Sequence, residues 1–352
     1  MPTPINLDDV TRAADRLRAG GIVAFPTETV YGLGADALSP AAVNKVFALK
    51  GRPATNPLIV HVTGPEMALR VAASWPRRAE LLADAFWPGP LTLVVPRRDD
   101  LPPAITAGGA TVAVRSPDHP TAMALLFAFG GPLVGPSANK SGFISPTTAH
   151  HVRDAFLERD VLTLDGGPCS AGIESTVVLL TEPRVRILRP GLIGASDLAA
   201  VLREPVDLPG PAPSTAELLQ SPGLLESHYA PSTQSFRFTA RQAPSVAALA
   251  RRARIAVIAH QELESLADLD SATLLPLPPL PRLYAARLYE TLREADARGL
   301  EAIFILMPDT NDPNDPNPPA SPTSAPASTA DAHIWAAIAD RLTRATRPFL
   351  AP

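Results

Sequence analysis

Six short stretches carry most of the side chains able to hold a small polar ligand. They are PTETVYGLG from residue 26, KGRPATNPLIVH from 50, TVAVRSP from 111, GPSANKSGFISPT from 135, GIESTVV from 172 and RILRPG from 186. Hydroxyls, amides, glycines and arginines recur in each, a donor set suited to anionic oxygens rather than to a metal or a nucleophile. Familiar one-motif chemistries fail on inspection. GLGAD lacks the third glycine of a dinucleotide fingerprint, and in GPSANKSG no glycine precedes the lysine as a phosphate-binding loop requires. Asn139 occupies the place of the second glycine of a nucleophile elbow. His150 and His151 are adjacent, so on a helix they point in different directions and do not make a metal pair.

The elements that must position these stretches read as alternating helices and strands. LDDVTRAADRLR begins with acidic residues and runs out at Gly20-Gly21, which fits both helix poles, and the strand IVAF follows. Ser39 and Pro40 open a second helix as cap and first residue, ending near Lys50. Strands are expected at LIVHV, LTLVVP, TVAVRSP, PLVGPS, VLTLD, STVVLL and VRILRP, with helices at PRRAELLADAFW, HPTAMALLFAFG and TTAHHVRDAF. Some neighbouring strands have no helix between them, so the expected fold is α/β with a twisted mixed sheet. The polar stretches then fall at strand ends, where such sheets build their ligand crevice. The stretch 24–37, AFPTETVYGLGADA, reads as turn chemistry after the first strand.

A chain of 352 residues exceeds one usual core, and its 41 prolines cluster, which places linkers. The expected organisation is a catalytic domain over 1–205, a proline-rich connector over 206–234 and a smaller Rossmann-like α/β domain over 235–352. Within that last domain, 309–331 is expected to be a mobile loop, because it offers no large apolar side chain for burial. A net charge of −4 argues against a protein whose main task is to coat nucleic acid. Cys169 is the only cysteine, so no internal disulfide or thiolate zinc site exists, and a reducing cytoplasm fits. It reads as a loop thiol without catalytic work. The N-terminus lacks signal-peptide character and no apolar run is long enough to span a membrane.

Taken in order, the six stretches resemble the YrdC family of threonylcarbamoyl-AMP synthases, and SPGLLESHYAP followed by a second α/β unit resembles its two-domain form. Lys50 with Arg52, and Ser137 with Asn139, match the family's K-x-R and S-x-N pairs. The resemblance implies a concave, positively lined face that condenses L-threonine, bicarbonate or carbon dioxide, and ATP into threonylcarbamoyl-AMP and pyrophosphate. The product would serve the modification of adenosine 37 in tRNA, with a tRNA threonylcarbamoyltransferase complex as partner and at most transient tRNA contact. It implies Lys50 and Arg52 as charge-neutralising catalytic residues, and Thr29, His61, Arg115, Gly135 and Ser175 as threonine contacts. It implies Arg52, Asn56, Thr111, Ser137, Asn139, Ser145, Arg189 and Tyr229 as nucleotide contacts, Mg2+ carried on the ATP phosphates, and no resident metal. The connector would act as a lid bringing Tyr229 to the nucleotide.

Read by itself, His61 suits a satisfied core histidine as well as a ligand contact, and Lys50 and Arg52 suit a solvated helix end. Glu28 has no assigned role. Gly135 stands where relatives more often carry a small side chain, so contact there would come from backbone. The competing class is a double-stranded-RNA-binding module of the same fold without catalysis.

Overall fold

The computed structural model describes residues 5–156, 161–210, 228–270, 273–308 and 331–350. The chain divides into two compact units, residues 1–141 with 145–225, and residues 142–144 with 226–352. The expected connector is described only at 206–210 and 228–234. The expected loop 309–331 lies outside the described residues except for Asp331.

The first unit is built on ten strands: β1 Val23–Phe25, β2 Gly32–Asp36, β3 Ile59–His61, β4 Leu91–Pro96, β5 Thr111–Arg115, β6 Leu133–Val134, β7 Leu162–Thr163, β8 Thr176–Leu179, β9 Val185–Arg189 and β10 Val206–Asp207. They form one sheet in the order β10-β9-β8-β4-β5-β3-β6-β2-β1-β7. Parallel pairs β3·β5 and β4·β8 sit beside antiparallel pairs such as β4·β5 and β3·β6, so the sheet is mixed. Among the described residues, seven α-helices accompany it: α1 Leu7–Arg18, α2 Pro40–Lys50, α3 Pro65–Ala68, α4 Arg77–Phe86, α5 Pro120–Phe129, α6 Ala149–Ala155 and α7 Ala195–Leu202.

Local chemistry explains the best-defined ends. The Asn6 side chain accepts from the amides of Asp8 and Asp9 at the start of α1, and Ser39 accepts from the Ala42 amide at the start of α2. Gly51 closes α2 at φ 61°, a left-handed position that glycine adopts without a Cβ clash. Val10, Ala13, Ala14 and Leu17 recur at helical spacing and pack with Ala122, Leu125 and Leu126 of α5 on one side of the sheet. Tyr31, Leu33, Val60, Leu93 and Val114 fill the other, larger core.

One expectation needs correction. Residues 32–36 within AFPTETVYGLGADA are a strand, not a turn. Gly32 and Gly34 are there because of Phe25 on the paired strand: a Cβ on either would come within 2.9 or 3.0 Å of its ring. The turn chemistry is confined to 27–30, where Thr27 Oγ1 accepts from the Thr29 and Val30 amides.

The second unit has a wholly parallel sheet of β11 Ser235–Phe238, β12 Ile255–Ala259, β13 Leu274–Pro276, β14 Ala302–Leu306 and β15 Arg347–Pro348, in the order β13-β12-β14-β11-β15. Helices α8 Ala243–Ala250, α9 Pro281–Ala297 and α10 Ala332–Ala345 complete it. Its core gathers Phe238, Val246, Val257, Leu266 and Phe304.

Candidate active site

Two clusters of buried polar side chains lie in the first unit, both built from the ends of neighbouring strands and the loops that leave them. Parallel pairing of β3 with β5 sets His61 directly opposite Arg115, and the chain leaving β6 puts Gly135 beside them, its amide donating to Ile59 O at 2.9 Å. Arg115 is 3% exposed. Its Nη1 donates to Thr29 Oγ1 at 2.8 Å, its Nε donates to Gly89 O at 3.1 Å, and its Nη2 lies 2.6 Å from a Glu28 carboxylate oxygen. Thr29 in turn shares a 2.8 Å contact with Thr27.

The His61 ring meets Phe25 edge-on at 5.4 Å, and its Nδ1 has no hydrogen-bond partner among the described residues. Burial, helped by the charge of Arg115, pushes its pKa down to about 3, so the ring is neutral near pH 7. A Cβ at Gly135 would sit 2.4 Å from that Nδ1, which explains why this chain carries glycine there. Ser175 has its own partners: its Oγ pairs with Thr92 at 2.7 Å, and Arg189 donates to its carbonyl at 3.0 and 3.1 Å and to its Oγ at 3.2 Å.

The second cluster surrounds the end of α2. Lys50 is buried, and its Nζ donates to the carbonyl of Ser137, in a very short contact, and to that of Asn139 at 2.6 Å. Its own carbonyl accepts from Ser141 N at 2.9 Å. Lys50 therefore clasps the S-x-N turn. Burial and then the nearby charge of Arg52 hold its pKa well below the ordinary lysine value. Arg52 reaches Asn56 Oδ1 at 2.6 Å, Asn56 O at 3.0 Å and Pro57 O at 2.7 Å, so it fixes the loop leading into β3. Ser145 Oγ donates to Glu174 at 2.7 Å, both side chains being buried.

The structure thus gathers Thr29, His61, Arg115 and Gly135, ties Ser175 to Thr92 and Arg189, and joins Lys50 to Ser137 and Asn139, and Arg52 to Asn56. Arg189 comes to Ser175, a residue expected on the threonine side. Thr111 opens β5 while Arg115 closes it, so the two are about 13 Å apart along the strand. Tyr229 is accounted for within the second unit, where it is buried, stacks on Tyr289 at 5.7 Å, lies beneath Arg341 and takes φ 63°.

Three buried members escaped the sequence reading. Thr92 left a signal, a hydroxyl inside the apolar strand LTLVVP. Glu28 and Glu174 left only their presence in polar stretches, because their partners Arg115 and Ser145 lie 87 and 29 positions along the chain. Cys169 is buried, and burial pushes its thiol pKa up, so it is not poised as a nucleophile. No group of three or more His, Cys, Asp or Glu side chains converges on a cation position among the described residues.

A mixed α/β unit with buried polar side chains gathered at its strand ends has the layout in which such sheets build ligand crevices. A family model described as "Telomere recombination" (Sua5_yciO_yrdC) matches residues 15–191, and one described as "Threonylcarbamoyl-AMP synthase, C-terminal domain" matches residues 193–346. The chain belongs to the Sua5/YciO/YrdC family. It is 46% identical over 222 residues to a threonylcarbamoyl-AMP synthase of Pyrococcus abyssi and 44% identical over 227 residues to one of Bacillus subtilis. These alignments cover 63% and 64% of this chain, and the chain spans 65% of the length of each of these curated relatives. The crystal structure of P. abyssi Sua5 complexed with L-threonine superposes with a TM-score of 0.83 at 34% identity, covering 99% of this chain and 98% of that one.

Proposed function

We propose that the chain is an L-threonylcarbamoyladenylate synthase that joins L-threonine, bicarbonate-derived carbon dioxide and ATP, releasing pyrophosphate, for the modification of tRNA adenosine 37. The observation that carries this reading is the Arg115 cluster. A buried guanidinium holds Thr29 and lies level with neutral His61, in a chain whose relative was crystallised with L-threonine. Arg115 takes the amino-acid carboxylate, and Thr29 and Ser175 supply neutral hydrogen bonds. His61, uncharged, orients without adding a second cation.

On this reading, threonine's amine captures carbon dioxide as a carbamate, whose oxygen attacks the α-phosphorus and expels pyrophosphate. No activated serine or cysteine is required, so catalysis rests on holding the reactants together and neutralising their charge. We assign the nucleotide to the residues around the S-x-N turn, Arg52, Asn56, Ser137, Asn139 and Ser145, with Arg189 at the junction with threonine. Lys50 contributes charge and, through its two carbonyl bonds, the shape of the turn. Magnesium enters as the counter-ion of ATP, with few protein ligands. Thr111, at the start of β5, and Tyr229 complete the nucleotide contacts that the resemblance implies. The described residues contain no helix long and apolar enough to cross a membrane, and we place the reaction in the cytoplasm.

The test is pyrophosphate release from ATP. Release should require both L-threonine and bicarbonate, and it should fall at least about 100-fold in Lys50→Ala, as loss of a preorganised charged donor does. Release indifferent to threonine would point to another acceptor. No release, with salt-sensitive RNA binding, would favour the RNA-binding module.

A further inference from the structure

Glu28 presents an anomaly that the threonine cluster does not resolve by itself. The residue is 7% exposed, and neither carboxylate oxygen accepts a hydrogen bond from the described residues. The 2.6 Å approach of Arg115 Nη2 supplies opposite charge without hydrogen-bond geometry. The nearby hydroxyls are committed elsewhere. Thr27 Oγ1 donates to Val30 O at 2.6 Å, which leaves Thr29 Oγ1 to donate to Thr27 Oγ1 at 2.8 Å. A buried carboxylate has room for about four donors, and leaving it without any is costly, so native structures rarely do so. A ligand that carries N–H donors would satisfy it.

We propose that Glu28 is the acceptor for the α-ammonium of L-threonine, so that Arg115 and Glu28 together read the zwitterionic head group. This rests on the threonine reading of the preceding subsection. The charge balance of the cluster supports it. Arg115 and Glu28 cancel, and His61 adds no charge near neutral pH. A carboxylic acid lacking the amine would leave one uncompensated negative charge in a buried site, whereas an amino acid adds none. In the free amino acid the ammonium lies next to the carboxylate, and in the cluster the Glu28 carboxylate lies next to the guanidinium. The ammonium brings three N–H donors to the side chain that lacks them. The bound ammonium must release a proton to solvent before its nitrogen can add to carbon dioxide. Glu28 is here a substrate-binding residue that also holds Arg115.

The experiment is calorimetric titration of the full chain with L-threonine and with 3-hydroxybutyrate, which is threonine without its α-amine. Wild-type protein should favour threonine by about 10- to 100-fold, the range expected for hydrogen bonds to a charged group. Glu28→Gln should collapse that ratio towards one by weakening threonine alone. Equal weakening of both ligands would mean that Glu28 only positions Arg115, and would overturn the proposal. The wild-type ratio tests it without any variant, since a ratio near one also overturns it. Folded wild-type protein that binds neither ligand would instead refute the threonine reading on which the proposal stands.

Discussion

His61 shows at the residue scale how burial sets chemistry. In an unfolded chain its imidazole titrates near 6.5, but in the folded unit, desolvated and beside Arg115, it titrates at about 3. Between those values the unfolded chain binds a proton that the native state refuses, so stability rises with pH across this window and is lost as pH falls through it. At pH 5 the loss relative to neutral pH is about 2 kcal/mol from this residue. His260 of the second unit, lowered by burial to about 4, acts in the same direction. Urea titrations at pH 7 and pH 5 should therefore show the first unit of His61→Gln losing less stability on acidification than that of wild type. An unchanged pH dependence would mean that the native ring takes up its proton at an ordinary pH.

Gly135 acts at the scale of elements, because it is the point where the chain leaving β6 must pass the end of β3. Gly135→Ala would force a methyl to within 2.4 Å of His61 Nδ1 and 3.0 Å of Phe25, both held by the packing of their strands. Overpacking of this kind costs about 1–3 kcal/mol. Thermal denaturation should show that loss, and calorimetry should show weaker threonine binding because His61 is displaced; a variant with unaltered affinity would remove His61 from the site. The legibility of the elements follows the range of the forces that form them. Helix α2 could be read nearly residue by residue, since Ser39, Pro40 and Gly51 act on backbone within one turn of themselves. Strand β2 could not, because its glycines answer to Phe25 across a strand pair rather than to their neighbours. The same division runs through the site. The residue types were visible at strand ends, but the pairing of His61 with Arg115 comes from the β3·β5 register, and the contact of Arg115 with Glu28 joins a strand end to a loop far away in sequence. Charge neutralisation inside the cluster is a property of the fold that no local pattern carries.

Across the whole molecule, each of the two units owns a hydrophobic core, and all the polar side chains assigned to threonine belong to the first. The bulk composition reflects neither unit's site. A net charge of −4 coexists with buried Lys50, Arg52, Arg115 and Arg189, because surface acids outweigh a few cations that work where water is excluded. Separate cores make a separable prediction. Phe304 on β14 is 2% exposed, stacks on Phe236 at 5.3 Å and meets Phe349 edge-on at 5.1 Å. Phe304→Ala should cost the second unit about 3–5 kcal/mol through the cavity it leaves. Peptide-resolved hydrogen exchange should then speed up across β11, β12 and β14, since opening follows the cooperative unit that holds the cavity. Peptides carrying His61, Arg115 and Ser175 should exchange as in wild type, and threonine affinity should not change. Acceleration spreading equally into β3 and β5 would show that the two cores unfold as one, and the C-terminal unit would then have to be counted among the supports of the threonine cluster.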